Sequence, residues 1–212
     1  MRGRFILVRH GETEANRRRC FADSDEISLS ETGYRQAREV AIVLSQGFRA
    51  QALISSHFRR AVETSEIIAD ALGLPIESLA GLHERDFGCL KGHPYGHMGA
   101  LMMPDDEKPW LWKPEGGESL DEVRLRAITA METLCSRYPG QDVIVVCHGA
   151  VIQAVCAHIT GEWTESAVPP NCGIVTIEYE AGVWGKPALS GDWERITSMQ
   201  AGRPSSPAPS AG

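Results

Sequence analysis

Three short apolar runs, separated by stretches with helical periodicity, constrain the fold of this 212-residue chain most strongly. The runs are residues 5–8, 52–54 and 143–147, which are rich in aliphatic side chains and bounded by polar residues. Continuous apolar runs of this length are typical of strands buried on both faces of a parallel sheet. A further strand is predicted late in the chain, over residues 174–179.

Helical periods occupy the stretches between the predicted strands. Apolar side chains recur at helical spacing in four segments, residues 34–44, 61–72, 120–138 and 149–159. Ser30 is the expected N-cap of the first helix, and Ser119 with Glu122 has the spacing of a capping box at the start of the third. Because strands and helices alternate, the sequence predicts a layered α/β fold with right-handed crossovers.

The composition predicts one domain and a tail. With 42% hydrophobic residues, a chain of this length can bury a full core as a single domain. Residues 92–117 are irregular and rich in Pro, Gly, Met and Trp, so they are expected to form a cap over one end of the sheet. Residues 196–212 are rich in Pro, Ser and Ala and predict a disordered tail, which leaves residues 1–195 for the domain.

Charge and cysteine content restrict the partners and the compartment. A net charge of -7 argues against nucleic acid or an anionic membrane as a partner. The six cysteines contain no C-x-x-C pair, which favours a reducing compartment, and no apolar stretch approaches the length of a membrane span. We expect a cytoplasmic protein. The late strand at residues 174–179 could pair across a homodimer, or the region around Trp184 could cover it.

Basic residues and histidines follow three of the predicted strands. Arg9 and His10 follow the first strand, Arg59 and Arg60 the second, and His148 the third. In an open α/β sheet, ligands bind at the carboxyl ends of strands, close to the N-termini of helices. The resulting positive pocket in an acidic protein indicates a phosphate group as the ligand. A histidine in front of such a group could act as a nucleophile.

The residues around His10 resemble a known family signature. Residues 7–16, LVRHGETEAN, are similar to the signature of the histidine phosphatase superfamily, the phosphoglycerate-mutase-like proteins. Further similar blocks follow in the family's order: LSETGYRQA at 29–37, SSHFRRAVET at 55–64, LHERDFG at 82–88, GGES at 116–119 and CHG at 147–149. The resemblance covers nearly all of residues 5–180. It implies a three-layer αβα sandwich with a mostly parallel central sheet.

The resemblance also implies roles for individual residues. His10 matches the histidine that is phosphorylated in the family, and Glu84 matches the general acid. Four residues are expected to hold the phosphoryl group, namely Arg9, Asn16, Arg60 and His148. The substrate would be a small phosphorylated molecule, and the implied reaction needs no metal ion or other cofactor. Phosphoryl transfer depends mainly on positioning the group and neutralising its charge, which suits such a set of residues.

Two of these assignments have a rival nearby in the sequence. Arg59 could replace Arg60 as the phosphate contact, although the spacing of the motif favours Arg60. Asp86 could replace Glu84 as the acid, because some branches of the superfamily use an aspartate located elsewhere. The position in the motif favours Glu84.

Three other features admit both a functional and a structural interpretation. His93 and His97 are four residues apart and could share a metal ion, but Pro94 between them favours a surface loop. The arginines at 17–19 could extend the anion site, and a solvated helix end is the preferred interpretation. A substrate lid or ordinary cap packing would account equally well for Met98, Leu101, Met102, Met103, Trp110 and Trp112.

Three functions fit the resemblance: a phosphatase, a cofactor-dependent phosphoglycerate mutase and a non-catalytic interaction domain. The matches to the nucleophile, the phosphoryl-binding residues and the general acid argue against a non-catalytic domain. In the mutases, E-R-H-Y-G is followed by a lysine and an arginine pair that bind the substrate carboxylate. Here Asp86 and Phe87 replace His-Tyr, Tyr95 stands at the lysine position, and residues 92–117 contain no Arg-Arg pair. The sequence therefore predicts a phosphomonoester hydrolase that acts through a phosphohistidine.

Overall fold

A seven-stranded sheet forms the centre of the protein. The computed structural model describes residues 2–101, 108–163, 168–180 and 182–189. In chain order the strands are β1 (Arg2–Arg9), β2 (Ala52–Ser55), β3 (Ile76–Ser78), β4 (Asp142–Cys147), β5 (Ile174–Glu180), β6 (Val183–Trp184) and β7 (Ala188–Leu189). The three apolar runs and the late segment therefore form strands, as predicted.

The strand order brings the ends of β1, β2 and β4 together. The strands β1 to β4 run parallel, in the spatial order β3-β2-β4-β1, and β5 lies antiparallel on the other side of β1. In the central pair, Val8 lies opposite Val146 and Arg9 opposite Cys147. The residues that follow these strands consequently meet at one edge of the sheet. The prediction of a mostly parallel central sheet is confirmed.

Helices cover both faces of the sheet. They are α1 (Glu14–Arg17), α2 (Glu31–Gly47), α3 (Arg59–Leu72), α4 (Gly96–Leu101), α5 (Leu120–Arg137) and α6 (Gly149–Thr160). Side chains alternate along β1, so that Phe5 and Leu7 belong to the core beneath α5 and α6. Ile6 and Val8 belong to the core beneath α2 and α3. The result is the expected three-layer arrangement.

The predicted helix ends have the expected capping interactions. The Ser30 hydroxyl accepts a hydrogen bond from the Gly33 N–H at 3.1 Å, and Ser119 and Glu122 form a reciprocal capping box. Gly73 ends α3 with a φ of 67°, a left-handed conformation that favours glycine. The short elements α1 and β3 were not predicted, since three or four residues are too few to show a period.

The edge of β5 is covered by the chain itself. The strand β6 pairs with β5 through Tyr179 and Trp184, and β7 pairs with it through Val175 and Leu189. The Trp184 ring lies 5.7 Å from that of Phe5, centroid to centroid, and so extends the core. Of the two alternatives for this strand, coverage by the Trp184 region is the one observed, and the homodimer remains a prediction.

The cap follows an irregular path over its described residues. It contains α4 and a short 3-10 helix at Pro109–Leu111, and the Trp110 ring stacks on that of Trp163 with centroids 6.0 Å apart. Met102 and Met103 of the proposed lid, and the predicted tail, lie outside the described residues. In the described part of the chain, no helix has the length and apolar character to cross a membrane.

The turn after β1 packs closely against the first turn of α2, and this contact generates a prediction. A Cβ at Gly33 would overlap the carbonyl oxygen of Glu12, and a Cβ at Gly11 would lie 2.7 Å from the Gly33 oxygen. We expect Gly33→Ala to lower the free energy of unfolding by about 1–3 kcal/mol, as overpacking usually does. Urea denaturation measures this change.

Gly47→Ala is the matched control in the same helix, because nothing lies within 4 Å of the added Cβ. Since alanine is the better helix former, this control should be neutral or stabilising by up to about 1 kcal/mol. Equal urea midpoints for the two variants would contradict the proposed close packing at Gly33.

Candidate active site

Two buried histidines form the centre of the site. His10 directly follows β1, and its backbone N–H donates to the carbonyl oxygen of Cys147 at 3.0 Å. His148 follows β4 and is the N-cap residue of α6. The two imidazole centroids are 5.1 Å apart, and the two residues are 2% and 0% exposed. The pairing of the parallel strands β1 and β4 therefore sets the distance between these side chains.

In the described part of the chain, hydrogen bonding engages only one ring nitrogen of His10. Its Nδ1 lies 2.7 Å from the carbonyl oxygen of Gly11. Because a carbonyl oxygen can only accept, Nδ1 carries the proton and Nε2 keeps its lone pair. Burial lowers the pKa of His10 well below its ordinary value, and the charges of Arg60 and Arg9 lower this pKa further. At neutral pH the ring is thus an uncharged potential nucleophile.

A hydrogen bond to Ser56 sets the tautomer of His148, which is opposite to that of His10. The His148 Nε2 lies 2.8 Å from the Ser56 Oγ, which also accepts the Phe58 N–H at 3.3 Å. The hydroxyl proton can therefore point at Nε2, which places the ring proton of the neutral imidazole on Nδ1. Burial, followed by the charge of Arg60, lowers the pKa of His148 well below its ordinary value. Its buried Nδ1 has no hydrogen-bond partner among the described residues.

Arg60 lies inside the site and Arg59 lies outside it. Arg60 is 2% exposed, and its guanidinium sits 5.0 Å from the centroid of the Phe58 ring. Burial lowers the pKa of Arg60 from its ordinary value, with the Glu84 carboxylate opposing that effect. Arg59 is exposed and forms an ion pair with Glu63 at 2.9 Å. A buried cation of this kind requires an anionic partner, which a phosphoryl group would supply.

Arg9 contributes a second cation whose hydrogen-bonding capacity is only partly used. Its Nη1 donates to the carbonyl oxygen of Pro169 at 2.9 Å. Its buried Nε has no partner among the described residues. Since five N–H donors are present on a guanidinium, several remain for a ligand.

Glu84 lies beside the two histidines. Its Oε1 accepts backbone N–H groups of Arg85 at 2.9 Å and Ala150 at 3.3 Å, the latter in the first turn of α6. The side chains of His10, Glu84 and His148 place ligand atoms within 4.8 Å of one another, the one such group of three among the described residues. Geometry alone would let them hold a metal ion, but the neighbouring guanidinium groups favour an anion.

Arg126 fixes the segment that carries Glu84, a role that the sequence analysis did not identify. Its guanidinium donates to the carbonyl oxygens of Gly81, His83 and Glu84 at 2.9, 2.7 and 3.2 Å. It also forms a bidentate pair with Glu118, with both distances 2.9 Å. Arg126 projects from α5 and belongs to none of the recognised motifs, so only the tertiary structure reveals this function.

The rival acid Asp86 lies at the mouth of the site. Its Oδ1 forms an ion pair with Lys91 at 2.8 Å and accepts the Gly88 N–H at the same distance. Asp86, Lys91 and Glu84 line a cavity of about 480 Å³ that opens to solvent. Its other lining residues include Asp23, Ser24, Asp25, His57, Phe58, Arg60, His83, Arg85 and Phe87.

Asn16 connects the segment around His10 with the cap. It ends the capping box of α1 with Thr13, and its Nδ2 donates to the Tyr95 hydroxyl at 3.3 Å. Its Oδ1 accepts a hydrogen bond from Asn171 at 3.2 Å. The structure brings the six predicted residues together: His10, Glu84 and His148 are within reach of one another, Arg9 and Arg60 act electrostatically on His10, and Asn16 is linked to His10 through Asn171. Ser56 and Asn171 contact His148 and His10, respectively, and the position of Ser56 after β2 could have indicated its contact.

The remaining candidates lie away from this pocket. The rings of His93 and His97 stack with centroids 4.7 Å apart on the exposed cap, and the described residues offer them no third metal-binding side chain. Arg17 and Arg18 are exposed and form ion pairs with Glu14 at 2.7 and 2.9 Å. These observations agree with a surface loop and a solvated helix end.

A family model described as "Histidine phosphatase superfamily (branch 1)" matches residues 5–189. The chain belongs to the histidine phosphatase superfamily. A relative named "Uncharacterized phosphatase PhoE" from Bacillus subtilis is 33% identical over 180 residues, which cover 84% of this chain and 89% of that one. A "Metal-independent phosphoserine phosphatase" from Arabidopsis thaliana is 35% identical over 162 residues, covering 73% and 68% of the two chains.

Solved protein structures include close matches to this fold. A mycobacterial glucosyl-3-phosphoglycerate phosphatase, solved with VO3, has a TM-score of 0.76 and 25% identity over 88% of this chain and 97% of that chain. A protein named a phosphoglycerate mutase and another named a phosphoglycerate mutase-like protein are also among the sequence relatives. Membership of the superfamily and these relatives support a phosphatase, while leaving its substrate open.

The two neutral histidines generate a prediction for stability against pH. As the pH falls below the ordinary histidine pKa of 6.5, these two histidines become protonated in the unfolded chain but stay neutral in the folded protein. The free energy of unfolding therefore falls as the pH falls. Each such histidine contributes a slope of up to about 1.4 kcal/mol per pH unit. We expect His148→Asn to flatten the dependence between pH 7.5 and 5, measured by urea denaturation in phosphate-free buffer.

His93→Asn removes an exposed histidine and is the control for that measurement. The slope should differ between wild type and His148→Asn, and should not differ between wild type and His93→Asn. If His148→Asn kept the wild-type slope, a neutral His148 in the folded protein would be contradicted.

Proposed function

We propose that this protein is a metal-independent phosphomonoester hydrolase that acts through a phosphohistidine on a small phosphorylated metabolite. The observation that carries the proposal is the arrangement of His10. Its Nε2 keeps a lone pair, and the positive charges of Arg60 and Arg9 act on the buried ring. An imidazole nucleophile and two permanent cations suit the transfer of an anionic phosphoryl group.

In the first step His10 would accept the phosphoryl group. Its Nε2 attacks phosphorus while the bond from phosphorus to the leaving alcohol oxygen breaks. Protonated Glu84 donates its proton to that oxygen, so an alcohol leaves rather than an alkoxide. The non-bridging oxygens are held by Arg9, Arg60, Asn16 and the Nδ1–H of His148. This clamp neutralises the charge of a loose transition state.

In the second step water would accept the phosphoryl group. The Glu84 carboxylate takes a proton from water, whose oxygen bonds to phosphorus as the bond to Nε2 breaks. Inorganic phosphate leaves, His10 is again neutral, and Glu84 is again protonated. The proton given to the alcohol in the first step is therefore replaced by one from water.

The charges at the mouth of the cavity favour water as the acceptor over a second phosphorylated substrate. Lys91 is paired with Asp86, and the buried Arg85 donates to the carbonyl oxygens of Glu118 and Trp112. Asp23 and Asp25 line the same mouth. A mutase must hold a further anionic group of its substrate. Among the described lining residues such a group would meet more carboxylates than available cations, so the mutase is the second candidate.

The role of Glu84 predicts a dependence on the leaving group. In single-turnover measurements, Glu84→Gln should slow transfer from an alkyl phosphate by about 10²–10⁴-fold. Transfer from p-nitrophenyl phosphate should slow far less, because that phenolate leaves without a proton. Asp86→Asn is the matched control and should affect both substrates alike. If Asp86→Asn were instead the selective variant, Asp86 would be the acid.

The charge of the mouth predicts a preference between two nearly isosteric substrates. Glycerol 3-phosphate and 3-phosphoglycerate differ by a hydroxymethyl group in place of a carboxylate. We expect kcat/KM for phosphate release to be about tenfold higher for glycerol 3-phosphate, because like charges disfavour the carboxylate. Isomerisation of 3-phosphoglycerate, assayed with and without its bisphosphate cofactor, should be slower than phosphate release. The opposite order would identify a mutase.

A further inference from the structure

The loop at residues 169–173 is hydrogen-bonded to the segment Arg9–His10. Besides the bond from Arg9 to Pro169, the Arg9 backbone N–H donates to Gly173 O at 3.1 Å and the Cys172 N–H donates to Arg9 O at 2.9 Å. None of the motifs in the sequence assigns a role to this loop. It is nevertheless bonded to both the backbone and the side chain of a residue in the phosphoryl pocket.

The side-chain amide of Asn171 donates hydrogen bonds to two residues of the site. Its Nδ2 lies 3.0 Å from the carbonyl oxygen of His10 and 3.2 Å from the Oδ1 of Asn16. The His10 carbonyl can only accept. The Asn16 atom is identified as oxygen because the backbone N–H of Thr13 donates to it at 3.2 Å. Two acceptors therefore fix the orientation of the Asn171 amide.

These bonds also determine which end of Asn16 faces the ligand. The Oδ1 of Asn16 accepts from the Thr13 N–H, the Thr13 hydroxyl and Asn171. Its Nδ2 is directed to the other side, where one hydrogen reaches the Tyr95 hydroxyl and the second remains for a phosphoryl oxygen. A flipped amide would instead present an oxygen to an anion.

We infer that Asn171 is a positioning residue of the phosphoryl site. It orients the amide of Asn16 as a donor and fixes the backbone carbonyl of His10, and through Asn16 it connects the nucleophile to Tyr95 of the cap. This inference rests on the proposed function, because it concerns the pocket in which the phosphoryl group would bind. It adds a residue that acts through its neighbours and not on the substrate.

Two substitutions separate the hydrogen bonds that Asn171 donates from the shape of its side chain. Asn171→Ala removes both donors, and Asn171→Asp keeps the shape but turns an oxygen toward two acceptor oxygens. We expect Asn171→Ala to weaken competitive inhibition by inorganic phosphate about tenfold, the value of one lost hydrogen bond, and Asn171→Asp to weaken it further. Pro170→Ala, an exposed change in the same loop, is the control and should keep wild-type inhibition.

A double-mutant cycle with Asn16→Ala tests whether the effect passes through Asn16. In the Asn16→Ala background, Asn171→Ala should reduce kcat/KM by no more than about threefold, against about tenfold in the wild type. Full additivity of the two losses would overturn the inference, since Asn171 would then support the fold without orienting Asn16. Melting temperatures of all four proteins verify that each is folded.

A spectroscopic measurement tests the same connection without turnover. The chain contains two asparagines, Asn16 and Asn171, so protein labelled with ¹⁵N-asparagine gives two side-chain amide signals, assigned by means of Asn171→Ala. On titration with inorganic phosphate, both signals should shift with one binding curve. A shift of the Asn16 signal alone would overturn the inference. Because phosphate binding is read directly, failure of the hydrolase proposal in activity assays would remain distinguishable from failure here.

Discussion

The pairing of β1 with β4 is the interaction on which the site depends. The backbone bond from His10 to the Cys147 oxygen, 3.0 Å long, continues this parallel pairing one residue beyond the end of β1. It places the residues that follow the two strands side by side, so the imidazole centroids of His10 and His148 lie 5.1 Å apart. Arg60 arrives from the start of α3, directly beyond the neighbouring strand β2. The sheet therefore assembles a set of residues that are far apart in the sequence.

Burial then gives these residues their chemical states. Two histidines that would be partly protonated in water near neutral pH are kept uncharged by desolvation and by nearby guanidinium groups. The Gly11 carbonyl oxygen and the Ser56 hydroxyl determine which nitrogen of each ring carries the proton. His10 therefore offers a lone pair at Nε2, and His148 offers a hydrogen-bond donor at Nδ1. Arg9 and Arg60 place positive charge beside these rings in an acidic protein. In the proposed mechanism a phosphoryl group offsets this charge, so the same residues would both bind it and react with it.

Local patterns in the sequence predict the fold and the cluster of Arg9, His10, Arg60 and His148, whereas Asn16 and Glu84 were assigned from the resemblance to the family. The strands at 5–8 and 143–147 show continuous apolar character, and Arg9, His10 and His148 follow them directly. Arg126 and Asn171 were not predicted, since each acts by hydrogen bonds to backbone or side-chain atoms distant in sequence. A helix surface arginine and a loop asparagine look alike whether or not they reach such partners. The short elements α1 and β3 were missed because they contain too few residues for a periodic signal.

Trapping of the phosphorylated protein tests the phosphohistidine route most directly. A ³²P-labelled phosphomonoester is mixed with excess protein, the reaction is quenched in alkali within one turnover, and the labelled peptide is identified by mass spectrometry. The expected result is an acid-labile, alkali-stable label on His10 that appears and decays at rates consistent with turnover. A His10→Ala variant that hydrolyses the same substrate at close to the wild-type rate, or a label located on another residue, would contradict the mechanism.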